Sequence, residues 1–273
     1  MTRIAVYQAR SGIDPSANAA ALVDAVGEAA AGGAAMLFTP EMSGLLDSNR
    51  DRAAESVSSE GADKVLKAVR QAAKANGIWV QLGSLALRGD RERFVNRAFV
   101  IDDAGDTRAR YDKIHLFDVD LPTGESWRES AVYEGGQRAV MVRGTPVGAL
   151  GLTICYDVRF PALFERLSET GAEVIAVPAA FTVPTGKAHW EILLRARAIE
   201  AGLFIVAAAQ GGHHEDGRNT YGHSLVIDPW GEVLLNAGDE GGVHFAEIEL
   251  GRISEVRSRV PALKHRRVVP AID

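Results

Sequence analysis

Cys155 is the one cysteine among 273 residues, and it closes an apolar, strand-like run (residues 147–155) that breaks at once into Tyr156-Asp157-Val158-Arg159-Phe160-Pro161. A thiol at such a strand end can be presented to a substrate with the next residue's backbone N–H beside it. Hydrolases whose nucleophile sits on a strand-to-helix turn use that arrangement. Most free cysteines are instead small buried hydrophobes, so composition alone gives little reason to read chemistry into this one. Two further segments change the balance. Ala35-Met36-Leu37-Phe38 runs into Thr39-Pro40-Glu41, where the proline ends the strand and leaves a glutamate at its tip. Arg110-Tyr111-Asp112-Lys113-Ile114-His115-Leu116-Phe117 sets a lysine among aromatic and aliphatic neighbours. Burial of such groups raises a carboxyl pKa and lowers an ammonium pKa, whereas pairing favours both charged forms, and sequence leaves the net direction open. For any one charged residue an ordinary ion pair is the simpler reading, but three such segments in one chain are harder to dismiss.

These segments resemble the nitrilase, or carbon-nitrogen hydrolase, superfamily. Its Glu-Lys-Cys triad occurs in that chain order, and Glu41, Lys113 and Cys155 each fall within the matching local motif. The superfamily often has a second glutamate after the lysine, and Glu129 in Ser126-Trp127-Arg128-Glu129-Ser130 matches that position. The resemblance runs from residues 4–8 to residues 265–267 and implies a four-layer α-β-β-α sandwich with mixed sheets. The chemistry is consistent with it. Attack on an amide carbonyl needs a nucleophile, donors for the developing oxyanion, and a base that can return a proton to a poor nitrogen leaving group. Cys155, Lys113 and Glu41 are expected to fill those roles, with the Tyr156 N–H as second oxyanion donor and Glu129 holding Lys113 or Glu41 in place. A thioester on Cys155 would be the intermediate. The scheme requires no metal and no cofactor.

Composition agrees with a soluble enzyme. The chain is long enough for one large core at 47% hydrophobic content, and no linker, low-complexity stretch or repeat interrupts it, so residues 1–273 are expected to form a single domain. A net charge of −6 with mixed signs argues against a nucleic-acid surface, and Lys264-His265-Arg266-Arg267 is read as a solvated or intersubunit patch. The N-terminus enters a strand directly and no apolar run approaches membrane-spanning length. A lone cysteine makes no internal disulfide, and a working thiolate needs a reducing compartment, so the cytoplasm is the expected location.

The elements that must position these residues alternate. Strand-like runs occupy residues 4–8, 35–38, 78–82, 97–102, 140–143, 147–155, 173–177, 204–209, 223–228, 232–236 and 243–250. Helical periods fit residues 16–31, 62–76, 161–170 and 187–201, with Asn76-Gly77 and Thr170-Gly171 as helix stops. Residues 222–234 read as a hairpin across a Pro/Gly turn, which calls for mixed rather than wholly parallel sheets. Periodicity alone gives α/β; the four layers come from the resemblance.

Other residues invite functional readings against simpler ones. His213-His214 with Glu215, Asp216 and His223 could be drawn as a metal site, but neighbouring glycines suggest a mobile loop and no helix-spaced histidine pair exists. The four tryptophans are read as core and subunit-contact residues. His115 lies two residues beyond Lys113, on the same face if the strand continues, and is a candidate for substrate binding or simply a hydrogen-bonded core histidine. Arg159 could fork onto a substrate carboxylate or tie a turn to the scaffold. Residues 178–182 (with Phe181 and Thr182 as binding candidates), 185–191, 194–200, 207–210 and 221–224 are similar to the deaminated glutathione amidase branch. The resemblance implies hydrolysis of that amide to 2-oxoglutarate and cysteinylglycine. An omega-amidase acting on 2-oxoglutaramate or 2-oxosuccinamate is the alternative, and a catalytically idle binding protein of the same fold is another. The expected partners are a small amide substrate and further copies of the chain, with the 187–201 helix, its apolar stripe around Trp190, and Val268-Val269-Pro270 at the contact.

Overall fold

A computed structural model describes residues 1–89, 93–120, 124 and 126–268. Two six-stranded sheets carry the fold. The first contains β1 (Thr2–Gln8), β2 (Met36–Phe38), β3 (Trp79–Arg88), β4 (Phe94–Ile101), β5 (Thr107–Asp112) and β16 (Gly242–Ile248), in the order β16-β1-β2-β3-β4-β5. Short hairpins are formed by β6 (Asp118–Asp120) with β7 (Ser126–Arg128) and by β12 (Gly211–His213) with β13 (Asn219–Tyr221). The second sheet contains β8 (Val140–Thr145), β9 (Gly148–Leu152), β10 (Val174–Ala176), β11 (Phe204–Ala207), β14 (Leu225–Ile227) and β15 (Val233–Asn236), in the order β15-β14-β11-β10-β9-β8. Both are mixed: β1-β2-β3 and β9-β10-β11 run parallel, and the flanking strands pair antiparallel.

The layering follows from period-two alternation. Ile4, Val6, Met36, Phe38, Ala98 and Val100 face the second sheet and share a core with Leu150, Leu152 and Val174. Their neighbours Ala5, Leu37, Phe99 and Ile101 turn the other way. There they meet Leu22 and Val26 of α1 (Pro15–Ala31) and Val65, Leu66 and Val69 of α3 (Lys64–Asn76). On the outer side of the second sheet lie α4 (Pro161–Glu169) and α5 (Val183–Ala201), through Leu163, Leu167, Trp190 and Leu194. Two sheets between two helix layers make the expected α-β-β-α sandwich. Each fully buried large side chain contributes roughly 1.5–3 kcal/mol of hydrophobic stabilisation. Asp14 and Asp63 cap α1 and α3 by accepting from Ser16 and Leu66, and Gly77 ends α3 in the left-handed region at φ 62°.

Several expectations need correction. The 147–155 strand ends at Leu152, and Cys155 opens a short 3₁₀ turn, Cys155–Arg159. The helix expected from residue 187 starts at Val183, because Pro184 suits a first turn. The helices α2 (Arg50–Ser56), α6 (Gly251–Arg259) and α7 (Ala262–His265) had no clear apolar period and were not anticipated. The stripe around Trp190 is not available for subunit contact. Trp190 packs against Phe181 in the chain's own core and donates its indole N–H to the His223 carbonyl. The apolar residues that face outward near this helix include Ile192 and Ile199 of α5, 70% and 53% exposed, and Trp230 at 52%. Gly231, next to Trp230, lies directly against the Ile199 side chain. Val268 is exposed, and Val269 and Pro270 lie outside the described residues. Among the described residues no helix is long and apolar enough to cross a membrane.

Candidate active site

Glu41 follows β2 in a turn pressed flat on β3, and Gly83 permits the approach. A Cβ on Gly83 would sit 2.1 Å from the Thr39 carbonyl oxygen and 2.2 Å from that of Pro40. The Gly83 N–H donates to Thr39 Oγ1, the Met42 N–H to Ser84 Oγ, and Gln210 Nε2 to the Glu41 carbonyl at 2.9 Å. Met42 at φ 55° marks the sharpness of the turn. Lys113 stands one residue beyond β5, where its N–H donates to the Asn96 carbonyl and its own carbonyl accepts from Gly136. Glu129 begins the 3₁₀ turn after β7 and accepts from the Phe117 N–H at 2.7 Å.

The three charged side chains converge. Lys113 Nζ donates to Glu41 Oε1 at 2.9 Å and to the Glu129 oxygens at 2.9 and 3.2 Å. Glu41 Oε2 accepts from the Ala180 N–H at 3.0 Å. Asn96, fully buried on β4, donates from Nδ2 to Oε1 of both carboxylates, at 2.9 and 3.3 Å, and so ties Glu41 to Glu129, while its Oδ1 has no partner among the described residues. Burial works against the Lys113 ammonium, but the fields of Glu129 and Glu41 outweigh it and hold that pKa well above the ordinary lysine value. For the lysine, this resolves the direction that sequence left open. Cys155 is held at φ 48° by a 2.8 Å bond from its N–H to the Pro178 carbonyl. Burial first, and the Glu41 charge second, push its thiol well above the ordinary range, although Lys113 pulls the other way. These influences together favour the protonated thiol, which lies beside Glu41.

Asp157 fixes this turn to β5. Its Oδ2 accepts from Tyr111 Oη at 2.7 Å and from the Ile154 N–H at 2.8 Å, and its Oδ1 lies 2.7 Å from His115 Nδ1. The Cys155 turn and the Lys113 segment are thereby locked together. His115, stacked on Phe160 at 3.6 Å between centroids, belongs to this lock and not to the cavity wall. The Tyr156 N–H lies in the first turn of the 3₁₀ segment, where a helix offers no internal acceptor.

Cys155, Glu41, Lys113 and Glu129 stand at the wall of a cavity of about 770 Å³. Tyr156, Phe181, Thr182, Trp127 and Tyr133 also line it, with residues 217–220 of the β12–β13 hairpin and Arg50 and Arg128. Trp127 is thus a cavity residue, which the core-or-contact reading of the tryptophans missed. Arg159 sits one layer out, its guanidinium 5.8 Å from the Tyr156 ring and 5.5 Å from the Phe181 ring. The segment expected to be a mobile histidine loop is an ordered hairpin. His214 is buried there with Nδ1 2.9 Å from the Ser11 carbonyl, and its Nε2 contacts Thr220 Oγ1. Among the described residues no group of His, Cys, Asp and Glu is placed to hold a metal ion. Asn96, Asp157 and Tyr111 were not foreseen.

The carbon-nitrogen hydrolase family profile matches residues 3–258. Deaminated glutathione amidase from Yersinia enterocolitica is 41% identical over 243 residues, covering 88% of this chain and 84% of that protein. The Caenorhabditis elegans NitFhit protein is 38% identical with a TM-score of 0.90, and the match covers 97% of this chain but 65% of that one. An amidase from Nesterenkonia sp. AN1, solved as a glutamate-to-glutamine mutant after Michael addition of acrylamide at the active site cysteine, is 28% identical with a TM-score of 0.80. That match covers 96% of this chain and 98% of its own.

Proposed function

Since this chain belongs to the carbon-nitrogen hydrolase family and is an amidase of the nitrilase superfamily, we propose that it hydrolyses deaminated glutathione to 2-oxoglutarate and cysteinylglycine through a thioester on Cys155. The observation that carries this reading is the buried Glu41–Lys113–Glu129 cluster beside a neutral Cys155 thiol, opening into a cavity large enough for a peptide amide. In the proposed sequence Glu41 takes the thiol proton as sulfur attacks the amide carbon. Lys113 and the Tyr156 N–H receive the oxyanion. Glu41 then returns the proton to the departing nitrogen, the carbon-nitrogen bond breaks, and the amine leaves. Water enters, gives a proton to Glu41 and attacks the thioester carbon; the carbon–sulfur bond breaks, and the Cys155 sulfur takes the proton back from Glu41 as the 2-oxo acid leaves. Glu129 and Asn96 act by holding Glu41 and Lys113. The thiol needs a reducing setting, so a cytoplasmic location remains part of the proposal.

The related amidase from Yersinia enterocolitica, 41% identical, supports the choice of acyl and leaving groups. Deaminated glutathione and 2-oxoglutaramate share the acyl portion, so any preference arises on the leaving side. One charged hydrogen bond there, worth roughly 1.5–3 kcal/mol, gives about tenfold or more in specificity. Parallel kinetics on the two compounds are expected to show the higher kcat/KM for deaminated glutathione. An equal or reversed preference makes the protein an omega-amidase with the same machinery.

A second copy of the chain is proposed to cover the face formed by Ile192, Ile199 and Trp230, an apolar patch left open on α5 and the β14–β15 turn. Light scattering at micromolar concentration is expected to give at least twice the 29.2 kDa chain mass. A monodisperse monomer removes this part of the proposal.

A further inference from the structure

Three arginines line the cavity, Arg50, Arg128 and Arg218, and two of them are already neutralised by the protein. Arg128 donates to both Asp120 carboxylate oxygens at 2.9 Å. Arg218 donates through Nε to Asp216 at 2.7 Å, and its guanidinium lies 5.2 Å from the Trp127 ring centroid. Arg50 differs. It opens α2 and donates at 3.1 Å to the Arg128 carbonyl, but it has no carboxylate partner among the described residues. Asp47, the acid nearest in sequence that also lines the cavity, is taken by Arg52 in a two-pronged pair at 2.6 and 2.8 Å. Among the described residues, Arg50 is thus the cavity arginine left without a carboxylate.

We propose that Arg50 is a specificity-determining residue that binds a carboxylate at the far end of the leaving group, so that the preferred substrates are amides whose amine portion is anionic. The proposal rests on the substrate reading above and refines it. Cys155 and Glu41 are buried, whereas Arg50 is exposed at the rim. A substrate that reaches both therefore spans from a buried thiol to an exposed guanidinium in one cavity. Of the two arms of deaminated glutathione, the cysteinylglycine arm is the longer and ends in a carboxylate. A planar guanidinium matches that group with two parallel N–H donors. The leaving groups of 2-oxoglutaramate and 2-oxosuccinamate carry no such anion, so Arg50 gives them nothing.

Three amides of one acyl group separate the possibilities: deaminated glutathione, its C-terminal glycinamide, and 2-oxoglutaramate. With the unaltered enzyme, converting the terminal acid to the amide is expected to lower kcat/KM about tenfold, mainly through KM. Arg50→Gln is expected to lower kcat/KM for the acid by a similar factor and to erase the distinction between acid and glycinamide. Arg50→Glu should favour the glycinamide, and Arg50→Lys should keep part of the original preference. An Arg50→Gln enzyme that retains the full preference for the acid overturns this proposal alone. Unaltered enzyme that turns over 2-oxoglutaramate but neither peptide amide overturns both this proposal and the substrate reading.

Discussion

Cys155→Ala is expected to abolish amide hydrolysis while the protein remains folded. No other thiol exists in the chain to take over attack, and without a covalent step the remaining groups would have to drive water directly onto an unactivated amide. The oxyanion donors alone leave only a small residue of rate enhancement. The folding penalty should be slight. The substitution deletes one buried sulfur atom, keeps the Lys113–Glu41–Glu129 pairing intact, and leaves the backbone bond from residue 155 to the Pro178 carbonyl in place. The strained φ of 48° is equally unfavourable for alanine and cysteine. Product release and circular dichroism measured together give the check. Turnover near that of the unaltered enzyme, with an unchanged spectrum, would mean that the nucleophile has been misassigned.

What sequence disclosed and what it hid have separate physical causes. Alternation in Ile4-Ala5-Val6 and Met36-Leu37-Phe38 reports two buried faces directly, because side-chain direction in a strand is local. Glu41 and Cys155 were visible for the same reason: each follows an apolar strand within a few residues. Of the two readings of His115, the hydrogen-bonded one fits the structure, because period two does not carry beyond the strand. β5 ends at Asp112, the chain turns, and His115 meets Asp157 instead of the cavity. Asp157 and Tyr111 owe their roles to a contact across 46 residues, which no local pattern records. Asn96 did leave a signal. It shares the inward register of Ala98 and Val100 on β4, and an amide at a core position is a poor fit unless something polar waits for it. The stripe on α5 showed that Trp190 would be covered but not by what, since a helix period specifies a buried face and not its partner.

Glu41→Gln is expected to reduce turnover by roughly 10²- to 10⁴-fold or more, because in the proposed sequence the base acts in both halves of the reaction. The substitution keeps shape but not hydrogen-bond polarity. One carboxylate oxygen accepts from Lys113 and Asn96, and the other from the Ala180 N–H. A glutamine amide satisfies one side and turns its own N–H₂ toward donors on the other, at a cost of about 1–3 kcal/mol. A modest loss of thermal stability should therefore accompany the loss of rate. Removing the Glu41 charge also takes away the second of the influences that keep the thiol protonated, leaving burial opposed by Lys113 and the Ala180 N–H. Cys155 in this variant should remain open to alkylation even though amides are not turned over. The two roles of Glu41 separate with an activated thioester or ester of the same 2-oxo acid, whose leaving group needs no proton. Such a donor should acylate Cys155 in the Glu41→Gln enzyme, and the acyl group should then persist, because no base is left to activate water. Mass spectrometry would register the acyl group as an adduct on Cys155. An adduct that never forms counts against the thioester, and one that hydrolyses as fast as in the unaltered enzyme removes Glu41 from deacylation.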